Sequence, residues 1–117
     1  MKPSIIVFPG SNCDKDIFNS IKNIYGREPY LVWYQDMIPK NTDLIIIPGG
    51  FSFGDYLRCG AIAAKSKILK QINECIKKGI PILGICNGFQ VLTEASFLPG
   101  TLLMNAGLKF ICKCINL

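Results

Sequence analysis

Short apolar runs that end in glycine or proline alternate along this chain with stretches whose apolar residues recur every three or four positions. "SIIVF" (4–8), "PYLVWY" (29–34), "DLIIIPGG" (43–50) and "IPILGIC" (80–86) are rich in β-branched and aromatic residues and predict strands. After the first run comes the loop "PGSNCD", in which Asn12 or Asp14 is placed to cap a helix carrying Ile17, Phe18, Ile21, Ile24 and Tyr25 at helical spacing. A second helix presents Ile68, Leu69, Ile72 and Ile76 inward, with Lys77-Lys78-Gly79 as its C-terminus and Pro81 barring its continuation. "NGFQVLTEASFLPG" (87–100) holds a short helix ended by Pro99-Gly100, and "LKFICKCINL" (108–117) alternates like a half-exposed strand. Trp33 and Tyr34 read as strand and core residues.

Strands that are apolar on both faces belong inside a parallel sheet covered by helices. The alternation of β and α elements therefore predicts an α/β fold with an open, mostly parallel sheet of the flavodoxin-like kind, as part of one domain over 1–117.

Composition adds exclusions. Half of the 117 residues are hydrophobic, enough for a real core. The longest apolar runs fall short of the ~18 residues of a membrane span. Met1-Lys2-Pro3 leads straight into a strand, so no membrane and a cytoplasmic location are expected. The net charge of +5 comes largely from lysines; Lys65, Lys67, Lys70, Lys77 and Lys78 read as a solvated face, and without aromatic interleaving no nucleic-acid partner is expected. The 6 cysteines contain no C-x-x-C pair, and with 0 histidines a metal site has no ordinary donor set. Most of them, Cys112 and Cys114 included, are expected to be reduced, buried, small apolar residues.

The candidate chemistry lies where strands end. "PGGFSFGD" (48–55) and "GICNGFQ" (84–90) are glycine-rich turns at such ends, where open α/β sheets bind ligands. Gly84-Ile85-Cys86-Asn87-Gly88 has the form of a nucleophile elbow with cysteine in place of serine. A helix N-terminus behind the sulfur favours thiolate, the Asn87 N–H is placed to donate to an oxyanion, and Gly50 offers a second donor. The competing reading is a buried thiol between two glycines, and these features alone name no substrate.

"FPGSNCDKD", "PGGFSFGDYLRCGAIA", "GICNGFQVLTE" and "LPGTLLMNAGLKFICK", in that order, resemble the glutaminase subunits of phosphoribosylformylglycinamidine synthases, purine-pathway members of the triad (class I) glutamine amidotransferases. The resemblance implies the amidotransferase form of the flavodoxin-like fold, with Cys86 attacking the side-chain amide of glutamine. It further implies an oxyanion hole from the backbone N–H groups of Gly50 and Asn87, and glutamine binding by Gln90, Gly49 and Gly54. The implied partners are glutamine, a synthetase subunit and a small accessory subunit. ATP and magnesium are expected on the synthetase and no cofactor in this chain. Asp55, Tyr56 and Arg58 are expected either to contact the partner or to brace the glycine loop, bracing being preferred; Cys13 and Cys59 are expected to be structural, and Asn105, in the matching "NAG" segment, has a weaker case as a ligand contact.

One requirement is unmet: such enzymes need a histidine and an acid to orient it, and there are 0 histidines here. In the family both lie far downstream of the cysteine, so the chain reads as the N-terminal half of a subunit roughly twice its length, inactive alone, with Glu94 too far along the elbow helix to substitute. Two rivals remain: a cysteine-elbow protein of the redox-responsive or deglycase kind, and a non-catalytic remnant.

Overall fold

The computed structural model describes residues 1–116. Four parallel strands, β1 (Pro3–Val7), β2 (Tyr30–Trp33), β3 (Leu44–Ile47) and β4 (Ile82–Gly84), form one sheet in the order β2-β1-β3-β4. That order is the flavodoxin-like one, reversing between β1 and β3, and parallel pairing requires a crossover between consecutive strands. Helix α1 (Asp14–Tyr25) makes the first; α2 (Ala61–Ala64) and α3 (Ile68–Lys77) make the third, and α4 (Asn87–Glu94) follows β4.

Side chains alternate between the two faces of a strand, so neighbours in the apolar runs enter different cores. Ile6, Val32, Ile45 and Ile47 pack with Ala63, Ile68, Leu69, Ile72, Val91 and Leu92 from α2, α3 and α4. Ile5 and Ile46 face the other way, against Ile21 of α1. A single helix covers only the middle of that second face. Leu31 and Leu83, in register with Ile5 and Ile46 on the edge strands, are left 49% and 48% exposed. Burial on both faces, expected of all four strands, is therefore confined to β1 and β3. Trp33 shares the parity of Leu31 and is also exposed, whereas Tyr34 packs against the larger core.

Several local expectations shift. Neither Asn12 nor Asp14 caps α1: Cys13 is the N-cap, without a side-chain hydrogen bond, and Asp14 and Asp16 sit in the first turn, where carboxylates meet the positive end of the helix dipole. Ile24 and Tyr25 are exposed on the last turn of α1, as is Ile76 on that of α3. Helix α4 stops at Glu94, before Pro99-Gly100. Among the described residues no helix is long and apolar enough to cross a membrane.

Residues 108–116 are exposed and outside any strand; Leu117, the last residue of the expected strand, lies outside the described residues. Alternation supplies two faces, but a strand also needs a ladder partner, and this segment has none among the described residues. Instead Leu108 N–H donates to Asn105 O at 2.8 Å and Asn105 Nδ2 to Lys109 O at 2.9 Å, closing a turn. Asn105 is thus occupied locally. The burial expected of the cysteines also fails: all 6 are free, Cys13, Cys59 and Cys75 are partly buried, and Cys86, Cys112 and Cys114 are exposed. Cys112 and Cys114 should accordingly react with a charged maleimide as fast in the native chain as in urea, and Cys75 should be slowed several-fold by folding, as read by mass spectrometry over a time course. Equal protection of Cys112 and Cys75 would contradict this placement.

Candidate functional site

The turn between β4 and α4 is built by close backbone approach. Ile85 N–H donates to Ile47 O at 3.0 Å, and Cys86 then takes φ 52°, ψ −109° before α4 begins at Asn87. A non-glycine residue held there is strained, and such strain persists only where its surroundings over-determine it. Gly88 is essential to the turn: a Cβ on it would overlap the carbonyl oxygen of Ile47, and one on Gly84 would sit 2.8 Å from the Gly88 carbonyl carbon. The glycines let α4 start hard against the sheet, leaving the Cys86 side chain exposed.

The other glycine turn reaches the same place. A Cβ on Gly49 would lie 3.3 Å from that of Cys86, so the end of β3 and the elbow are in contact. Gly50, buried at φ 102°, packs its α-carbon onto Asn12, and Ser11 Oγ donates to Gly49 O at 3.1 Å. The loop after β1 thereby backs the turn. Among the described residues, neither the Gly50 nor the Asn87 N–H donates a hydrogen bond, leaving two main-chain donors near an exposed sulfur.

Gln90 is partly buried; its N–H donates to Cys86 O at 3.2 Å and its Oε1 accepts from Asn87 Nδ2 at 3.0 Å. Gly54 belongs to the outer part of the loop. At φ 67° it donates its N–H to Phe51 O at 2.8 Å, and the atoms nearest a Cβ there belong to the Tyr56 ring, so its neighbourhood is the loop itself.

Sequence reasoning placed only the Asn87 main chain and passed over Ser52. The Asn87 side chain, 3% exposed, accepts from Ser52 N–H at 3.0 Å and Ser52 Oγ–H at 2.6 Å, and donates to Asp55 Oδ1 at 2.9 Å. The sequence signal for this was a polar residue directly after the candidate thiol, where the helix start must face the glycine loop. Asp55 thus braces the loop from within, while Tyr56 stays largely in solvent.

Arg58 braces from outside, donating from Nε and Nη2 to the two Glu94 oxygens at 3.0 and 2.8 Å. The hydrogen bond from Arg58, aided by its charge, holds the Glu94 carboxyl below the usual carboxylate range. A depressed acid stabilises the fold above its unfolded pKa, and that contribution is lost as pH falls through the folded value. Because the Arg58 side chain is 68% exposed, screening keeps the effect small. Arg58→Ala is expected to lower the neutral plateau of a plot of melting temperature against pH slightly and so flatten its acid limb, the two proteins converging in acid and the difference shrinking in high salt.

Beside Gln90, a cavity of about 540 Å³ is lined by Arg58, Cys59, Glu94 and Leu102 to Met104. Burial, with the Asp55 carboxylate close by, pushes the Cys59 thiol up, so it stays protonated at neutral pH. Cys13 donates its thiol hydrogen to Asn12 Oδ1 at 3.4 Å.

The family model for the CobB/CobQ-like glutamine amidotransferase domain matches residues 1–117. The chain belongs to that family. Within it, this chain is 53% identical over its whole length to phosphoribosylformylglycinamidine synthase subunit PurQ of Zymomonas mobilis, and 51% identical to PurQ of Leptospira interrogans. It covers 53% of each, so the chain spans about half the length of the curated relatives it matches. The structure of PurLQS from Thermotoga maritima superposes with a TM-score of 0.84 at 48% identity, over 96% of this chain and 52% of that one. The amidotransferase fold expected from the sequence is therefore the fold observed. The elbow and glycine loop lie wholly within the region matched by the family model.

Proposed function

We propose that this chain carries the nucleophile and oxyanion hole of a glutaminase that feeds ammonia to a phosphoribosylformylglycinamidine synthase in purine biosynthesis. The observation that carries this reading is Cys86, exposed on a strained elbow against the Gly49-Gly50 turn, in a chain 53% identical to a PurQ subunit. The Cys86 thiolate adds to the side-chain amide carbon of glutamine, and the oxygen takes up the negative charge within reach of the Gly50 and Asn87 N–H groups. Collapse breaks the C–N bond, ammonia leaves with an added proton, and water hydrolyses the thioester to glutamate. Gln90, with its Oε1 held by Asn87, keeps its Nε2 hydrogens for the substrate, Gly49 leaves room for it beside Cys86, and Gly54 serves it only through the shape of the outer loop.

The proton carrier must come from outside these residues, since the chain has 0 histidines. The relatives' greater length supports a histidine-bearing second half as its source. ATP and magnesium act on the synthetase partner, which assembles with this subunit and a small accessory subunit in the cytoplasm; no cofactor is required in this chain. Replacing Cys86 in the full-length subunit, within that complex, tests the reading through glutamine-driven against ammonia-driven synthesis. A second reading, a non-catalytic remnant, has the opposite outcome: the complex shows no glutamine-driven synthesis even with Cys86 intact.

A further inference from the structure

We infer that the Asn87 side chain is a positioning residue that sets the separation of the two oxyanion donors, an inference that rests on the glutaminase reading. The Gly50 donor sits on a loop in which Phe51, Phe53 and Asp55 all take positive φ, at 52°, 54° and 54°. Side chains other than glycine disfavour that region, so the loop holds its shape only under outside restraint. Phe53 N–H supplies part of it by donating to Pro9 O at 2.6 Å, and among the described residues the only side chain that reaches Ser52 and Asp55 together belongs to the residue that also carries the other donor. Asn87 Oδ1 accepts from the N–H and the hydroxyl of Ser52, and Nδ2 donates one hydrogen to Asp55 and one to Gln90.

These four bonds use the whole capacity of a carboxamide, two lone pairs and two hydrogens. Aspartate keeps the acceptors, loses both donors and sets a second carboxylate against Asp55. Leucine keeps the approximate shape and none of the bonds, leaving Ser52, itself 4% exposed, without its acceptor. One residue thus fixes the Gly50-bearing loop through its side chain and offers its own N–H to the same oxygen.

The test compares two electrophiles on the full-length subunit, with rates at Cys86 followed by mass spectrometry. A glutamine-shaped chloroketone develops charge on its carbonyl oxygen as the thiolate adds, before the C–S bond displaces chloride. With iodoacetamide the thiolate displaces iodide directly at the methylene carbon, and no oxyanion forms. Asn87→Ala is expected to slow the chloroketone reaction by roughly tenfold to hundredfold, with the iodoacetamide rate held within about twofold. Ser52→Ala, which removes one hydroxyl and keeps the rest, should slow the chloroketone by a smaller factor, and Ser52→Thr should restore it; these variants carry the test if Asn87→Ala does not fold. An unchanged ratio of the two rates in Asn87→Ala and Ser52→Ala, with the unsubstituted protein still preferring the chloroketone, would overturn the positioning role alone. A protein that shows no chloroketone preference at Cys86, unprotected by glutamine, would remove the glutaminase reading and this inference with it.

Discussion

Cys86→Ala, in the full-length subunit within its synthetase complex, is expected to lower glutamine-driven synthesis by roughly 10³-fold or more and leave ammonia-driven synthesis intact. The asymmetry follows from the geometry. Alanine keeps the elbow, because the turn is made by Gly84 and Gly88 and not by the sulfur. It deletes only the atom that bonds to the amide carbon, and neither Cys59 nor the cysteines of the last segment replace it. Cys59 is held protonated by burial and Asp55, and Cys112 and Cys114 lie on an exposed segment outside the sheet. Parallel assays with glutamine and with ammonium salts decide it; glutamine-driven turnover that survives the substitution would place the nucleophile elsewhere.

Gly88→Ala should be the most damaging single-methyl change in the chain. The added carbon would overlap the Ile47 carbonyl oxygen and approach the Ile47 carbonyl carbon at 2.7 Å, both of them backbone atoms of a central strand. Relief requires α4 to withdraw from the sheet, uncovering Val91 and Leu92, which are 0% and 5% exposed. A loss of ~3 kcal/mol or more in urea unfolding is expected, enough to leave a marginal domain largely unfolded. Gly107→Ala is the control: nothing lies within 4 Å of its new Cβ, and stability should move by less than about 0.5 kcal/mol. Equal effects of the two substitutions would mean that the helix does not rest on β3 as described.

The elements most legible in the sequence were those whose burial is two-sided. The Ile45-Ile46-Ile47 run announced a central parallel strand because successive side chains enter different cores, and it is one. The elbow was equally plain, since only small residues at 84 and 88 permit that turn. What misled was apolar character without a partner. Residues 108–116 alternate as well as any strand yet pair with nothing among the described residues, Trp33 lies where one covering helix runs out, and Ile24 and Ile76 sit on the last turns of α1 and α3. The site's internal order was hidden for another reason. That Asn87 holds Ser52 and Asp55 depends on positive φ values along 51–55 and on the exact start of α4, neither of which follows from residue type at a fixed spacing.

The clasp between Ser52 and Asn87 joins residues 35 apart. A ribosome that has delivered the glycine loop has therefore not yet delivered what fastens it, and the segment must wait, unlatched, while α3, β4 and the first turn of α4 emerge. Conditions during synthesis that slow the arrival of those residues would prolong the interval in which Phe53, packed against the larger core once folded, is open to chaperones.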